Sequence, residues 1–473
     1  MALIASSRLF SGFYLTAALA PMGIAPLVKA QPAALTPSSP APAAAPTEAS
    51  DSSDRLLQNW LGLGPSWSLG TQVTWIDQYH PGFNSPYEGV NSLQGGAEND
   101  RTFSFSLFTG YRIAPGTELY FDPEIFQGHG LSNTFGMAGY PNGEAIKAAY
   151  PNLHFNLSRL YIRKTFGLGG ETETIPKGPQ DVGGVVDVNR LTLTLGKLAA
   201  SDLFDDNAYS HDTRSQFMNW SLWESAAWDY PADVTGYTEG FAAVWNTKDW
   251  DIRYGVFMMS TEPNGARMDY HLQEANGQIL QFDRRYTVGE LSGTLRPFVY
   301  WNHARMGNYA DALANPDLST ALSQSRAYRS KEGFGLSWDQ ELTKAVGVFS
   351  RLSWDDGRAE SDEFTEVDRS AAAGFSFNGV SWGRKDDTLG LAGVMNGIAP
   401  SHQAYLREGG TEGVILGDGG LSYGPEEIVE TYYNCQVFPW LWLSPDFQYA
   451  VNPGYNRARG PIPILALRVH VEF

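Results

Sequence analysis

Arginines and carboxylates recur at alternate positions within apolar stretches of this sequence. An arginine offers a rigid fork of hydrogen-bond donors and no acceptor, whereas an ionised carboxylate only accepts. Opposed across a narrow aqueous space, the two groups can together hold neighbouring hydroxyl groups of a solute. The arginines of this set are Arg159, Arg163, Arg190, Arg253, Arg296, Arg351 and Arg468. The carboxylates of the set are Glu118, Asp122, Glu124 and Asp446.

Aromatic residues concentrate in residues 202–233, which contain Trp220, Trp223 and Trp228. Indole rings offer flat apolar faces on which another ring can stack. The segment is too long for a hairpin and too aromatic to lie in solvent. We therefore expect it to pack against other parts of the chain.

Catalytic and metal-binding patterns are weak. The sequence contains no G-x-S-x-G motif, no His-rich zinc spacing and no phosphate-binding loop. Glu426 and Glu427 could in principle form a glycosidase pair, but neighbours on a strand point to opposite faces. A minor alternative is a loop cation site at Asp205, Asp206, His211 and Asp212. We expect no catalytic residue, no metal and no cofactor.

The charged residues must be positioned by strands. Residues 462–473 illustrate this, because apolar and polar side chains alternate along them. One face of this stretch is apolar and the other is mostly polar, because alternate side chains of a strand point in opposite directions. The apolar positions are Leu465, Leu467, Val469, Val471 and Phe473. The opposite positions are Ala466, Arg468, His470 and Glu472. Taken alone, this pattern fits a half-buried strand of a soluble sandwich as well as the closing strand of an outer-membrane barrel.

The same alternation recurs along the chain, with Gly, Ser, Thr and charged residues opposite the apolar face. It covers residues 67–75, 102–112, 118–124, 159–166, 190–195, 251–258, 296–302, 346–353 and 443–449. A sandwich of this length would need a very large core and unusually polar outer faces. We therefore predict an all-β fold, a transmembrane antiparallel barrel with its apolar face in lipid and its polar face towards a water-filled lumen.

Turns and aromatic residues agree with a barrel. Short connections at 115–116 and 438–440 alternate with long ones at 125–157, 198–236 and 260–288. Aromatic residues near the strand ends suit the girdles that mark membrane interfaces. They are Trp67, Trp75, Tyr111, Trp301, Trp354, Trp440 and Trp442.

The remaining composition bears on export and partners. Residues 1–30 are typical of a cleaved signal peptide, residues 31–53 of a Pro/Ala-rich flexible linker, and residues 54–64 of a short helix that opens a barrel domain spanning 54–473. No later stretch is apolar for long enough to form a membrane-spanning helix. The net charge of −19 argues against nucleic-acid binding, and acidic stretches such as 360–368 are interpreted as solvated loops. Cys435 is the single cysteine, so no intrachain disulfide can form.

The chain resembles the OprB-type carbohydrate-selective porins over roughly residues 55–473. The matching stretches include PEIFQGHGLSNTFGMAGYPNGEA (123–145), DLFDDNAYSHDTRSQFMNWSLWESAAWDYPAD (202–233) and NPGYNRARGPIPILALRVHVEF (452–473). The resemblance implies a sixteen-stranded outer-membrane barrel that acts as a monomer and lets sugars diffuse through. It brings no catalytic residues and does not identify the sugar.

In such a pore a subset of the inward arginines and carboxylates would line a constriction that binds sugar hydroxyls. Arg163 and Glu124 are the first choice, because their strands are expected to be adjacent. The alternative is that these charges form ion pairs that hold the wall. Residues 202–233 would fold into the lumen, with their tryptophans as a stacking surface; the alternative is interfacial or loop-core packing.

The sequence therefore predicts a porin for passive, carbohydrate-selective diffusion of mono- and small oligosaccharides into the periplasm of a Gram-negative bacterium. The alternatives are a secreted β-rich carbohydrate-acting enzyme and an outer-membrane adhesin. The expected partners are sugars, outer-membrane lipid and lipopolysaccharide, and the barrel assembly machinery, which would read the strand ending in Phe473.

Overall fold

The fold is seen in a computed structural model, which describes residue 58 and residues 61–145, 150–363, 366–411 and 415–473. The signal peptide (1–30) and the linker (31–53) predicted from the sequence lie outside the described residues. Most of the helix predicted at 54–64 also lies outside them, and residues 61–64 form a turn followed by an irregular stretch.

Eighteen strands occur in the described part of the chain. They are β1 (Trp67–His80), β2 (Glu98–Ala114), β3 (Thr117–Gly128), β4 (Tyr150–Gly167), β5 (Thr172–Ile175), β6 (Gly184–Asp187), β7 (Arg190–Leu198), β8 (Thr238–Asn246), β9 (Trp250–Phe257), β10 (Asn276–Val288), β11 (Leu291–Met306), β12 (Ala327–Thr343), β13 (Val346–Asp355), β14 (Arg369–Asn378), β15 (Thr388–Gly397), β16 (Glu426–Phe438), β17 (Leu441–Val451) and β18 (Ile462–Glu472). All except β5 and β6 close into one antiparallel barrel of sixteen strands, and β5 and β6 pair only with each other.

Helices are few and short between residues 61 and 473, as far as the structure describes them. They are α1 (Trp220–Trp223), α2 (Tyr309–Leu313), α3 (Leu318–Gln324) and α4 (Pro400–Arg407). Single 3₁₀ turns lie at Leu131–Thr134, Ala200–Asp202, Gly379–Trp382 and Pro453–Tyr455. Within the described ranges, no helix combines the length and apolar character that a membrane crossing requires.

The outer face of the barrel is apolar and uncovered, as the alternation predicts. On β18, Leu465 and Leu467 are 51% and 42% exposed, whereas Arg468 between β17 and β1 is fully buried on the inner side. No second sheet of the described chain covers the outer side chains, so the soluble sandwich is excluded. The seam is closed by β1 and β18, where the Thr71 amide donates to the Phe473 carbonyl at 2.8 Å.

Connections at one end of the barrel are tight turns, and we call this the short-loop end. Examples are residues 115–116, 289–290, 344–345 and 439–440. The other end, the long-loop end, carries extended connections, two of which fold into the lumen. They are the connection after β3 and residues 199–237 between β7 and β8.

Two of the predicted long connections are partly strand. β3 continues to Gly128 and β4 begins at Tyr150, which shortens the loop predicted at 125–157. The loop predicted at 260–288 was wrong over its second half, because β10 occupies Asn276–Val288. Arg284 interrupts the outer face of β10 and Asp283 lies beside it on the inner face, so this stretch lacks a clean apolar row.

Two further expectations were wrong. Trp442 does not join an outer girdle: it pairs with His470 across β17 and β18, on the inner face, with ring centroids 5.8 Å apart. The acidic stretch 360–368 is not solvated, because its five carboxylate residues are at most 2% exposed. Their partners come from other connections: Arg326 pairs with Glu360 at 2.7 Å, and His402 lies 3.5 Å from Asp368. Such partners cannot be read from a local sequence.

Candidate functional site

Residues 199–237, here called the lumenal segment, lie across the inside of the barrel. The amides of Met218 and Asn219 donate to Glu430 on β16 at 2.6 and 3.0 Å. On the opposite wall, the Ala227 amide donates to Ser353 Oγ on β13 at 3.0 Å. The structure therefore places residues 202–233 in the lumen, where they narrow the passage.

Apolar packing holds the lumenal segment in place. Trp220 and Trp228 are 2% and 1% exposed. Trp220 stacks on Tyr140, which comes from the other inward-folded connection, with ring centroids 5.0 Å apart. Trp228 packs on Phe298 of β11 at 5.5 Å. These contacts support the alternative of loop-core packing for both tryptophans.

Trp223 differs from the other two predicted stacking residues, because it is only half-buried. Its ring lies 5.2 Å from Trp220 and 6.2 Å from His211, measured between centroids. Of the three, Trp223 is the one that is not fully buried.

One edge of the lumenal segment carries three aspartates that reach solvent, Asp202, Asp206 and Asp212, which we call the charged edge; the Asp202 side chain is 23% exposed. Arg159 on β4 grips Asp202 with Nε and Nη2 at 2.7 and 2.6 Å. Arg253 on β9 donates to the Leu203 carbonyl at 2.8 Å and pairs with Asp283 at 2.7 Å. The charged edge thus lies against arginines on the inner wall of the barrel, Arg159 on β4 and Arg253 on β9.

Electrostatics keep the charged edge ionised. Desolvation inside the lumen opposes ionisation of Asp206, but the Arg296 guanidinium, with His211 and Arg253, holds the pKa of Asp206 below its ordinary value. Hydrogen bonds from Ser215 and the Arg214 amide likewise outweigh desolvation and lower the pKa of Asp212. Asp206 and Asp212 therefore present acceptors that stay charged at neutral pH.

Glu124, one of the two first choices, is enclosed by partners. It accepts from Ser106 Oγ at 2.7 Å, from Ser158 Oγ at 2.6 Å and from the Tyr237 hydroxyl. Arg214 of the lumenal segment pairs with it at 3.2 Å. At 1% exposure, Glu124 anchors the segment to the wall.

Arg163, the other first choice, does not meet Glu124. The register of β3 and β4 sets Arg163 opposite Glu118, and Glu124 lies about 20 Å further along β3 at the rise of a strand. Arg163 instead pairs with Asp181 at 3.0 Å and lies over the Tyr120 ring, 4.9 Å from its centroid. It belongs to the short-loop end of the lumen, apart from Glu124.

Most of the other residues predicted to line the pore are paired as well. Arg351 donates to the Leu222 carbonyl at 2.9 Å, and Arg468 donates to the Thr213 and Gln216 carbonyls at 2.7 and 2.8 Å. These two arginines hold the lumenal segment. The remaining contacts are Arg190 with Glu173, Arg296 with Asp339, Glu118 with Arg112, Asp122 with Gln180, and Asp446 with Gln448.

Several groups of the site went unrecognised in the sequence. Asp206 and Asp212 were considered only for a minor cation site and not as pore-lining groups, and only the closed barrel shows that Asp206 faces arginines of distant strands. Gln180 and Asp181 come from a connection at the short-loop end, which carried no sequence signal. Among the described residues, no three His, Cys, Asp or Glu side chains are grouped so that they could hold a metal ion.

Comparison with known proteins points in one direction. The family model described as "Carbohydrate-selective porin, OprB family" matches residues 94–473. No curated protein matches the chain.

Three solved structures are similar to the chain to different degrees. The structure described as "High pH structure of Pseudomonas putida OprB" is similar with a TM-score of 0.66 at 16% identity, over 88% of this chain and 97% of that one. The outer membrane channel DcaP of Acinetobacter baumannii gives a TM-score of 0.47 at 9% identity, over 86% and 97% of the two chains. Pseudomonas aeruginosa OccK2 (OpdF) in complex with glucuronate gives 0.42 at 11% identity, over 86% and 98%. At such identities the likeness to Pseudomonas putida OprB concerns the fold.

Proposed function

The chain belongs to the OprB family of carbohydrate-selective porins, and from that premise we propose how its lumen selects sugars. It is a sugar porin, and its family and fold indicate a channel rather than an enzyme. In the proposal it is exported by a cleaved signal peptide and lies in the outer membrane of a Gram-negative bacterium. There it passes mono- and small oligosaccharides to the periplasm. Lipid and lipopolysaccharide surround its apolar face, and the barrel assembly machinery recognises β18.

The opposition of the charged edge and the wall arginines carries the proposal. A sugar that enters a narrow passage must exchange the water on its hydroxyls for protein hydrogen bonds, and these must stay weak enough for release. In the proposal the carboxylates of Asp202 and Asp206 accept hydrogen bonds from sugar hydroxyls, while Arg159 and Arg253 donate to the hydroxyl oxygens. Because each of these arginines already has a partner, a sugar exchanges contacts instead of gaining new ones, which keeps binding weak.

Exposure divides six of the seven predicted arginines into two groups. Arg351 and Arg468 are 2% and 0% exposed and serve the lumenal segment as supports. Arg159, Arg163, Arg190 and Arg253 keep between 11% and 17% of their side chains open and are assigned to the sugar path. Trp223 supplies the stacking surface for a pyranose face, since its ring is half-buried.

Liposome swelling tests the proposal. We expect swelling to fall in the order mono-, di- and trisaccharide, and to be slower for zwitterionic solutes of monosaccharide size. In planar bilayers, Asp206→Asn with Arg253→Gln should weaken the block of ion current by sugars. The control is Glu427→Gln, which changes an exposed carboxylate of β16 on the outer face. Equal swelling for sugars and zwitterions of one size would contradict carbohydrate selectivity.

A further inference from the structure

Residues 168–189, here called the exit hairpin, are unlike the other connections at the short-loop end. They join β4 to β7 and contain β5 and β6, which pair with each other and with no strand of the barrel. The backbone ladder of β4 and β7 continues into the hairpin through Leu168 N to Asn189 O and Val188 N to Glu171 O, both at 2.9 Å.

The exit hairpin bends between these two bonds. Gly169 and Gly170 have φ angles of +83° and +102°, which residues with a side chain rarely adopt. This bend turns the hairpin back over the mouth of the barrel. Residues 176–183, the hairpin tip, consequently enter the lumen.

Polar contacts fix the hairpin tip to the inner wall. Ser68 Oγ on β1 donates to the Gly178 carbonyl at 2.9 Å. Gln180 Nε2 donates to Asp122 on β3 at 2.7 Å. Arg163 on β4 pairs with Asp181 at 3.0 Å. The tip is therefore held by three neighbouring sectors of the wall.

An apolar contact seats the hairpin tip as well. Val182 is 1% exposed, and its amide donates to the Tyr120 hydroxyl at 3.3 Å. A Cβ atom on Gly110 of β2 would come within 3.0 Å of Val182 Cγ2. Glycine at this position leaves room for the tip to lie directly on the wall.

The exit hairpin and the wall line a cavity of about 970 Å³ that is open to solvent at the short-loop end. Its lining includes Arg112, Glu118, Arg163, Asp181 and Arg190. Asp181 is 47% exposed even though it is paired, so it presents a carboxylate to the passing solute. The tip thus narrows the route by which any solute leaves the lumen.

We propose that the exit hairpin is a second selectivity element, which limits conductance and solute size at the mouth that faces the periplasm in outer-membrane barrels. In this proposal Asp181, which forms an ion pair with Arg163, is the residue of the exit hairpin that determines specificity. The limit applies to ions as well as sugars, so it can be tested whether or not the proposed sugar selectivity holds.

Replacing residues 169–188 by Asn-Gly gives the main test. This two-residue turn suits a hairpin between Leu168 and Asn189, which are already paired. We expect single-channel ion conductance to rise about twofold, because the hairpin tip and the lumenal segment restrict the ion path in series and one of the two restrictions is removed, and trisaccharides to enter liposomes faster. A folded, heat-modifiable variant with wild-type conductance and size limit would overturn the proposal.

If that variant does not fold, Asp181→Lys provides the test. The new lysine repels Arg163 and releases the hairpin tip from the wall, while the length of the chain is unchanged. Increased or noisier open-channel current would support the proposal, and a wild-type current would overturn it. The matched control is Glu171→Lys, since Glu171 is 70% exposed at the base of the hairpin and pairs with Lys248. This control should leave the current unchanged.

Discussion

Lys331 on β12 and Asp229 on the lumenal segment form an ion pair, with Nζ and Oδ2 3.2 Å apart and neither side chain exposed to solvent. Asp355 on β13 lies at the same distance from Lys331 Nζ. One buried ammonium group therefore binds the segment that narrows the pore to two strands of the wall.

Substituting Lys331→Met should destabilise the barrel by about 3–5 kcal/mol, because two buried carboxylates lose their cation. Thermal unfolding in detergent, followed by the heat-modifiable gel band, measures the loss. The segment should also fluctuate, giving a noisier open-channel current. Lys385→Met is the control, since Lys385 is 80% exposed. A quiet channel of wild-type stability would show that Lys331 does not hold the segment.

Alanine substitutions of Trp220 and Trp223 should have different effects, the first on stability and the second on sugar binding. Trp220→Ala removes a buried ring and should cost about 3–5 kcal/mol. Trp223→Ala, at a half-buried position, should cost less but weaken the block of ion current by sugars. Unfolding and single-channel recordings on both variants check this. Loss of sugar block only in Trp220→Ala would reverse the assignment.

Substitutions of Glu124 and Asp206 should likewise differ, with the first lowering stability and the second weakening the block of ion current by sugars. Glu124→Gln weakens a buried acceptor of several hydrogen bonds and should cost about 1–3 kcal/mol of stability, with sugar block retained. Asp206→Asn should weaken sugar block and leave stability near that of the wild type, because the side chain is exposed. A stable Glu124→Gln channel without sugar block would instead place Glu124 in the sugar path.

Glu363, in the long-loop connection between β13 and β14, should make stability depend on pH. Burial, with the charges of Asp362, Asp233 and Asp229, raises the pKa of Glu363 well above its usual range. In the unfolded chain Glu363 loses its proton near the ordinary glutamate pKa of about 4.3, whereas in the folded chain it keeps the proton to a higher pH. The stabilisation is therefore complete below that pH and is lost as the pH rises towards the folded pKa.

The variant Glu363→Gln copies the protonated form at every pH. We expect it to melt at a higher temperature than the wild type at pH 8 and at a similar temperature at pH 4. Glu262→Gln, which alters a carboxylate that is 64% exposed, is the control. A parallel pH dependence in Glu363→Gln and the wild type would exclude this role.

The wall of the barrel could be predicted because its cause is local. Lipid on one side and water on the other impose a period of two on every strand, so β18 and β2 were readable from their own residues. β10 was missed where Asp283 and Arg284 break that period. Residues 202–233 could be assigned to the lumen because a segment with so many aromatic side chains has to bury them against other parts of the chain.

The site itself could be predicted only as a set of residue types. Whether Arg163 meets Glu124 or Asp181 depends on strand register and on the return of the exit hairpin into the lumen. Neither leaves a trace in the residues near Arg163. The carboxylates of 360–368 were misjudged for the same reason, since Arg326 and His402 reach them from separate loops.

The seam of the barrel has a consequence for biogenesis. Thr74 of β1 contacts His470 of β18 across 396 positions of the chain. β1 therefore keeps bare amides and carbonyls along one side until the most distant strand of the barrel, β18, pairs with it. Bare strand edges recruit stray partners, so β1 stays exposed to mispairing until β18 has joined it.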